Sequence, residues 1–486
     1  MLILGLEAST ASAKAMLYDS GADRLVDLAS QPYPREIADI KTMDPQAVSE
    51  ELFRLGHRLL NGRRKIDLIV LSSIWHHSGV LLDEKMNPIG RLRTWADTRA
   101  GEVVESFLQE KGLSESIYQR TGNPPHTTYG YYQWLQLLKD KGMRPEQVHA
   151  FMALPDYLYY RFTDKRMVST MTASASGMMN IHDLEWDLSL MERAGISPDQ
   201  MSVLVDPEHT EPLAVRAAEA LGLPQGIPIL VTGADGACNQ IAVGGLEPGI
   251  MTLSVGTSGA LRISGTRPLL SAGPLKNWSY YGAERHWING AATNGAGSCL
   301  EWFLQLYGLP FSDLKRLDKE LEGRDGLLPD APLFLPFQFG ERSPGWDASR
   351  LGGWMDLSPV HDQLHLYYSV LEGVLFNLYQ CSLLLQELGG GPDKILISGG
   401  IVQSPVWLQL AADLFGVPLG LTSLEHASLL GAIMIGRKVL GDLSSLRQVK
   451  HTPASYIHPR RNEALAERYQ RYLFWYETTA AKEPTR

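Results

Sequence analysis

The residues best suited to chemistry lie within 228–264, PILVTGADGACNQIAVGGLEPGIMTLSVGTSGALRIS. The apolar run Ile229-Leu230-Val231 predicts a short buried strand. It ends in Thr232-Gly233-Ala234-Asp235-Gly236 and passes into a helix over 237–243. An acid is thereby presented at a strand C-terminus, where open α/β sheets form ligand crevices. After a break at Gly244-Gly245, strands at 250–255 and 260–263 are joined by Gly256-Thr257-Ser258-Gly259. Such a turn offers backbone N–H groups and hydroxyls under little steric cover, which suits a phosphate. One Asp beside one phosphate cradle implies phosphoryl transfer.

A second turn of this kind opens the chain. Residues 2–6 read as a strand, 7–13 (EASTASA) as a small-residue turn, and 14–18 as a returning strand. Two such hairpins, one early in each half, imply a duplicated architecture whose turns face one cleft. Small polar turns are common, so each hairpin alone fits a surface turn equally well.

Other stretches could line an acceptor pocket. A strand over 67–75 runs into His76-His77-Ser78, and a returning strand ends in Trp95-Ala96-Asp97-Thr98-Arg99. His and Asp can bond hydroxyls, Trp can stack on a C–H face, and Arg can pair with a carboxylate. The 94–99 segment also fits a surface turn with an ordinary ion pair. A loop at 121–126 (TGNPPH) precedes an amphipathic helix over 131–139, and a helix is expected over 154–162. A short helix is expected over 211–222. Farther on, NGAATNGAGSCLEW enters a helix near Ser298, which allows close approach of a ligand at a helix N-terminus. The strand 394–398 leads through Gly399-Gly400 to Ser404, an N-cap before Pro405 of a helix that Gly416 closes. That unit fits a nucleotide seat or simply a tight connection.

The elements that position these residues come from an ordinary globular chain of 486 residues, 44% hydrophobic and 20% charged. That length accommodates about three domains or two large ones. A net charge of −10 argues against a nucleic-acid partner. Cys238, Cys299 and Cys381 are too far apart for a disulfide framework or a metal motif, so a reducing cytoplasm is expected. The N-terminus carries no signal-peptide pattern, and the most apolar long segment, 365–385, is interrupted by Glu372, Asn377 and Gln380. It is expected as a buried helix, with no membrane association.

No Gly-Lys dipeptide occurs, which excludes a Walker A loop, and the kinase loop G-x-G-x-x-G, H-E-x-x-H and G-x-S-x-G are absent. The blocks LGLEASTASAKAMLYD, HHSGVLLDE, TWADTR, TGNPPH, GADGA, SVGTSGALR, NGAATNGAGSCLEW, GERSP and SGGIVQSPVWLQLAADLFG follow in order along essentially the whole chain. In this the chain resembles the FGGY carbohydrate kinases of the actin/hexokinase superfamily. TWADTR, TGNPPH, GTSGALR and the TNGAG loop look most like gluconokinases; xylulokinases more often carry Trp-Asn-Asp at the TWADTR block.

The resemblance implies an α/β fold of two actin-like (ribonuclease H-like) domains, 1–245 on the sugar side and 246–486 on the nucleotide side, with the active site in the cleft between them. It implies ATP and Mg2+, with Asp235 as general base. Thr10, Ser12, Lys14, Gly256, Thr257 and Ser258 would hold phosphates; Gly297, Gly399, Gly400 and Ser404 would border the nucleotide. His77, Trp95, Asp97, Arg99, His126 and Asn294 would face the substrate, and Glu7 would reach the metal through water. The implied substrate is a small sugar or sugar acid, D-gluconate first, with a pentulose or polyol as the alternative; a homodimer is among the assemblies such relatives form. The family turn usually begins Asp-x-Gly-Thr, whereas this chain has Glu7-Ala8-Ser9-Thr10. Glu7 adds a methylene, and Ser9 would cost about 1 kcal/mol if its site required φ > 0. These departures raise a further alternative, a weakly catalytic nucleotide- and sugar-binding relative.

Overall fold

A computed structural model of the chain describes residues 1–273, 275–324, 328–460 and 462–480. Residues 481–486, the end of the expected second domain, lie outside the described residues. In the first half, β1 (Leu2–Ala8), β2 (Ser12–Asp19), β3 (Arg24–Pro32), β4 (Leu68–Ser73), β5 (Thr210–Pro212) and β6 (Pro228–Ala234) form one sheet. Its order is β5-β6-β4-β1-β2-β3. β1, β2 and β3 are antiparallel neighbours, and β4 runs parallel to both β1 and β6. In the second half, β7 (Ile250–Val255), β8 (Gly259–Gly265), β9 (Trp278–Tyr281), β10 (Trp287–Thr293), β11 (Lys394–Gly399), β12 (Leu419–Leu421) and β13 (Tyr456–Ile457) form another. Its order is β9-β10-β8-β7-β11-β12-β13. There β7, β8 and β10 are antiparallel, and β11 is parallel to β7 and β12. The two sheets repeat one topology, and the duplication expected from the two hairpins is present in the fold.

Local sequence explains the elements. β4 (LIVLSS) is buried at every position, as a strand covered on both faces should be. The helix α1 (Pro45–Leu60) starts where Asp44 accepts bonds from Gln46 N and Ala47 N, with Pro45 in its first turn. Its Val48, Leu52, Leu55 and Leu59 share a core with Leu4 and Leu6 of β1. The other helices needed below are α2 (Asp235–Ala242), α3 (Gly297–Leu306), α4 (Gln363–Gly389), α5 (Pro405–Phe415), α6 (Ala427–Val439) and α7 (Glu463–Ala480). α4 is the expected buried helix, and its Glu372 is bonded by Arg468 of α7 at 2.7 and 2.6 Å. Among the described residues no helix is long and apolar enough to cross a membrane.

α6 belongs to the second half by sequence yet packs on the first. Its Leu429, Ala432, Ile433 and Ile435 lie in one buried cluster with Ile3, Leu68 and Val70. Each such side chain contributes about 2 kcal/mol of burial, so the halves are held together as they approach the cleft.

Two expectations are corrected. β1 continues through Ala8, so Glu7 is a strand residue and the turn is only Ser9-Thr10-Ala11. The segment 211–222 is not one helix: Thr210–Pro212 pairs with β6, and a helix covers only Val215–Leu221.

Candidate active site

Asp235 is the first residue of α2, directly after β6. The strand fixes its backbone, and its carboxylate accepts the N–H of Gly236 at 2.6 Å. Burial first, and the neighbouring Glu7 second, push its carboxyl up to about 6, against the Gly236 N–H, Arg262 and Lys14. An acid in that range is a better-matched general base near neutrality than an ordinary Asp at about 4.

Residues of both hairpins act on this carboxylate: Glu7 and Lys14 of the first and Arg262 of the second. Gly256, Thr257 and Ser258 are exposed, and Thr10 is half-buried. Among the described residues, the N–H groups of Thr10, Ala11, Thr257 and Ser258 have no protein acceptor. Each turn thus presents adjacent free donors, the condition for an anion cradle. Ser9 closes the first turn: its hydroxyl accepts the N–H of Ser12 at 3.1 Å, and its own N–H donates to Ser12 O at 3.0 Å. Ser9 is not among the positive-φ residues, so the strain considered for it is absent.

Glu7 stands directly opposite Lys14 in the β1–β2 ladder, and Lys14 Nζ lies 2.7 Å from Glu7 Oε1. Ser428, at the start of α6, donates to Glu7 Oε2 at 2.5 Å. Both carboxylate oxygens therefore have protein partners. Among the described residues there is no group of three or more His, Cys, Asp or Glu side chains able to hold a metal.

On the substrate side, His77 and His126 come into one pocket with residues that the sequence reading did not single out. Tyr280 Oη lies 3.3 Å from His77 Nε2 and 3.1 Å from Tyr129 Oη. The Trp346 ring centre is 5.8 Å from His126 and 5.8 Å from the guanidinium carbon of Arg342. Burial, then Arg342, depress both imidazoles, His77 well below its ordinary value and His126 to about 3. Both are neutral hydrogen-bonding groups at pH 7. Arg262 of β8 acts electrostatically on Asp235 and feels both Tyr280 and Arg342.

The 94–99 segment is more structural than expected. Asp97 is buried and takes both oxygens' bonds from Arg99 Nε at 3.0 and 2.9 Å, with Arg93 3.8 Å away. Arg99 pairs with Asp97 and its side chain stays half exposed. Trp95 is exposed and donates its indole N–H to Thr10 Oγ1 at 3.1 Å, tying this segment to the first turn. Asn294 donates to Phe339 O at 2.9 Å.

On the nucleotide side, Gly297 N and Ser298 N donate to Gly256 O and Thr257 O at 2.8 and 3.0 Å. The N-terminus of α3 therefore buttresses the second turn and is not left open to a ligand. Gly399 has φ +96, and a Cβ there would lie 2.3 Å from Val255 O, so only glycine fits beside that turn. Gly399 and Gly400 are exposed. Ser404 is buried and caps α5 by accepting Trp407 N at 3.2 Å, with Gly416 closing the helix as expected.

Arg262 was legible as a charge inside the apolar strand run Ala260-Leu261-Arg262-Ile263. Arg342 lies in the GERSP block, whereas Tyr129, Tyr280, Trp346 and Ser428 reach the site through the fold and carry no local signal.

Residues 2–242 match the FGGY family of carbohydrate kinases, N-terminal domain, and residues 251–438 match its C-terminal domain. The chain is 27% identical to a gluconokinase of Bacillus subtilis over 93% of its own length and 91% of the relative's. It is 25% identical to a xylulose kinase of Staphylococcus xylosus, over 89% and 90%. Among solved structures, the gluconate kinase from Lactobacillus acidophilus superposes with a TM-score of 0.89 at 26% identity, over 99% of this chain and 98% of that one. A ligand-bound xylulose kinase from the same organism gives 0.89 and 26%, covering 99% of both chains. With both halves matched in order and both sheets repeating one topology, this chain belongs to the FGGY family of carbohydrate kinases.

Proposed function

We propose that this carbohydrate kinase transfers the γ-phosphoryl group of ATP to a hydroxyl of a sugar acid, D-gluconate first among acceptors. The observation that carries the reading is Asp235 at the head of α2, its carboxyl pushed up to about 6, together with a donor-rich turn in each of the two hairpins whose residues act on it. Asp235 orients the acceptor hydroxyl and takes its proton as the oxygen bonds to phosphorus and the bond to ADP breaks. Orientation matters more than basicity in the loose transition state of such transfers. Thr10, Ser12, Lys14, Gly256, Thr257 and Ser258 hold the phosphates in this reading, with Gly399 and Gly400 bordering the nucleotide. Mg2+, when bound, supplies neutralising charge, with Glu7 reaching it through water. His77 and His126 bond acceptor hydroxyls as neutral imidazoles.

The domain division at 1–245 and 246–486 belongs to the same reading, with closure about the Gly244-Gly245 crossing. So does a cytoplasmic location, in keeping with three free, buried cysteines. A second reading, a pentulose as acceptor, is favoured by the xylulose kinases that match at nearly the same identity. The test is ATP consumption and product mass with D-gluconate, D-xylulose, ribulose and glycerol. D-gluconate turning over fastest supports the first reading, and D-xylulose turning over fastest replaces it with the second.

A further inference from the structure

Two arginines on the substrate side form no ion pair among the described residues. Among the described residues, neither Arg262 nor Arg342 takes part in an ion pair or a side-chain hydrogen bond, and the Nε of each is buried without an acceptor. Arg262 and Arg342 are half-buried, whereas among the described residues the buried arginines each have an acid: Arg93 has Asp140, Arg350 has Glu341 and Arg468 has Glu372. A buried guanidinium N–H without an acceptor is costly, and Arg342 acts against the charge of Arg262. Such a pair is suited to an anion brought by the ligand.

The neighbours define what that anion is attached to. Arg342 lies against Trp346, which lies against His126; His77 bonds Tyr280, the residue Arg262 also feels. The neutral imidazoles and phenols suit hydroxyls, and the indole face suits C–H groups. Arg262 stands opposite Gly290 of β10, and Ser343, next to Arg342, donates its N–H to Ala292 O two residues further along β10 at 2.9 Å, so both arginines reach the same strand. We propose that Arg262 and Arg342 together receive the carboxylate of an open-chain sugar acid, and that Arg262 sets the preference for sugar acids over neutral sugars. The proposal rests on the kinase reading of this cleft. It places the carboxylate on this pair in preference to Arg99, which already has Asp97 as a partner.

The test compares D-gluconate with D-xylulose in wild type, Arg262→Gln, Arg262→Lys and Arg342→Gln, by steady-state kinetics and by calorimetric binding of each sugar without ATP. One charge-assisted pair lost corresponds to about 10–100-fold. Arg262→Gln is therefore expected to raise the KM for D-gluconate by about that factor, with kcat much less affected and D-xylulose far less sensitive; Arg262→Lys recovers part of the loss. Equal losses on both sugars, or a wild type that prefers D-xylulose, overturn the proposal while leaving the kinase intact. Absence of phosphorylation of any sugar removes the kinase reading, and calorimetry still decides the clamp: D-gluconate bound by wild type and lost in Arg262→Gln upholds it, and no D-gluconate binding overturns it. Should Arg262→Gln fail to fold, Arg342→Gln and Arg262→Lys carry the same comparison.

Discussion

A Cβ placed on Gly431 would stand 1.8 Å from the carbonyl oxygen of Cys238, so α6 crosses α2 where the two backbones touch. α2 begins with Asp235, and α6 brings Ser428 to Glu7. This crossing joins the helix that carries the proposed base to the helix that braces the acidic strand residue beside it. Gly431→Ala forces the helices apart. It is expected to cost about 3 kcal/mol, read as a lower denaturant midpoint, and to reduce turnover in the fraction that stays folded. An unchanged midpoint would mean that the crossing relaxes freely.

The pH dependence follows from Asp235. Its carboxyl is raised to about 6, so it holds its proton up to that pH and is available as a base only above it. The acid limb of kcat/KM is expected near pH 6, and not near the ordinary value of about 4. Because Glu7 is the second cause of the shift, Glu7→Gln is expected to move that limb to lower pH. The linkage has a matching sign for stability: the folded chain binds this proton more tightly than the unfolded chain, so stability falls as pH rises toward 6 and stays reduced above it. Asp235→Asn is therefore expected to melt at a higher temperature than wild type at pH 7.5, a cost of function visible by calorimetry.

Glu7 and Ser9 are fitted parts of the first turn. The longer Glu7 side chain reaches Lys14 and Ser428 together, so Glu7→Asp cannot keep both bonds. It is expected to lower kcat by about 10–100-fold, since small misplacements at a reacting centre are that costly. Ser9→Gly removes a hydroxyl that closes the turn and adds backbone freedom, costing about 0.5–1 kcal/mol with no gain in rate. Faster turnover in either variant would show that the residue is a defect.

Much of this was legible where the determinants are local. Ser404, Pro405 and Gly416 bound α5 as read, because caps depend on neighbours in sequence. The strand before Asp235 and the hairpin at Gly256 were visible as apolar runs around a turn. Glu7 was misread as a turn residue because its partners are Lys14 across a ladder and Ser428, 421 residues away. The Arg99–Asp97 pair was not legible, because the burial of Asp97 comes from the fold and not from its neighbours in sequence. Arg342 and Tyr280 enter the pocket from separate segments, which only the closed fold assembles.

The most direct test of the central claim is ATP- and Mg2+-dependent phosphorylation across a panel of D-gluconate, D-xylulose, ribulose and glycerol, with wild type and Asp235→Asn assayed together and nucleotide affinity measured for both. Phosphorylation of one compound by wild type, reduced about 10²–10⁴-fold in Asp235→Asn with nucleotide affinity kept, is the expected result. Tight nucleotide binding without turnover of any compound, or undiminished turnover in Asp235→Asn, would contradict it.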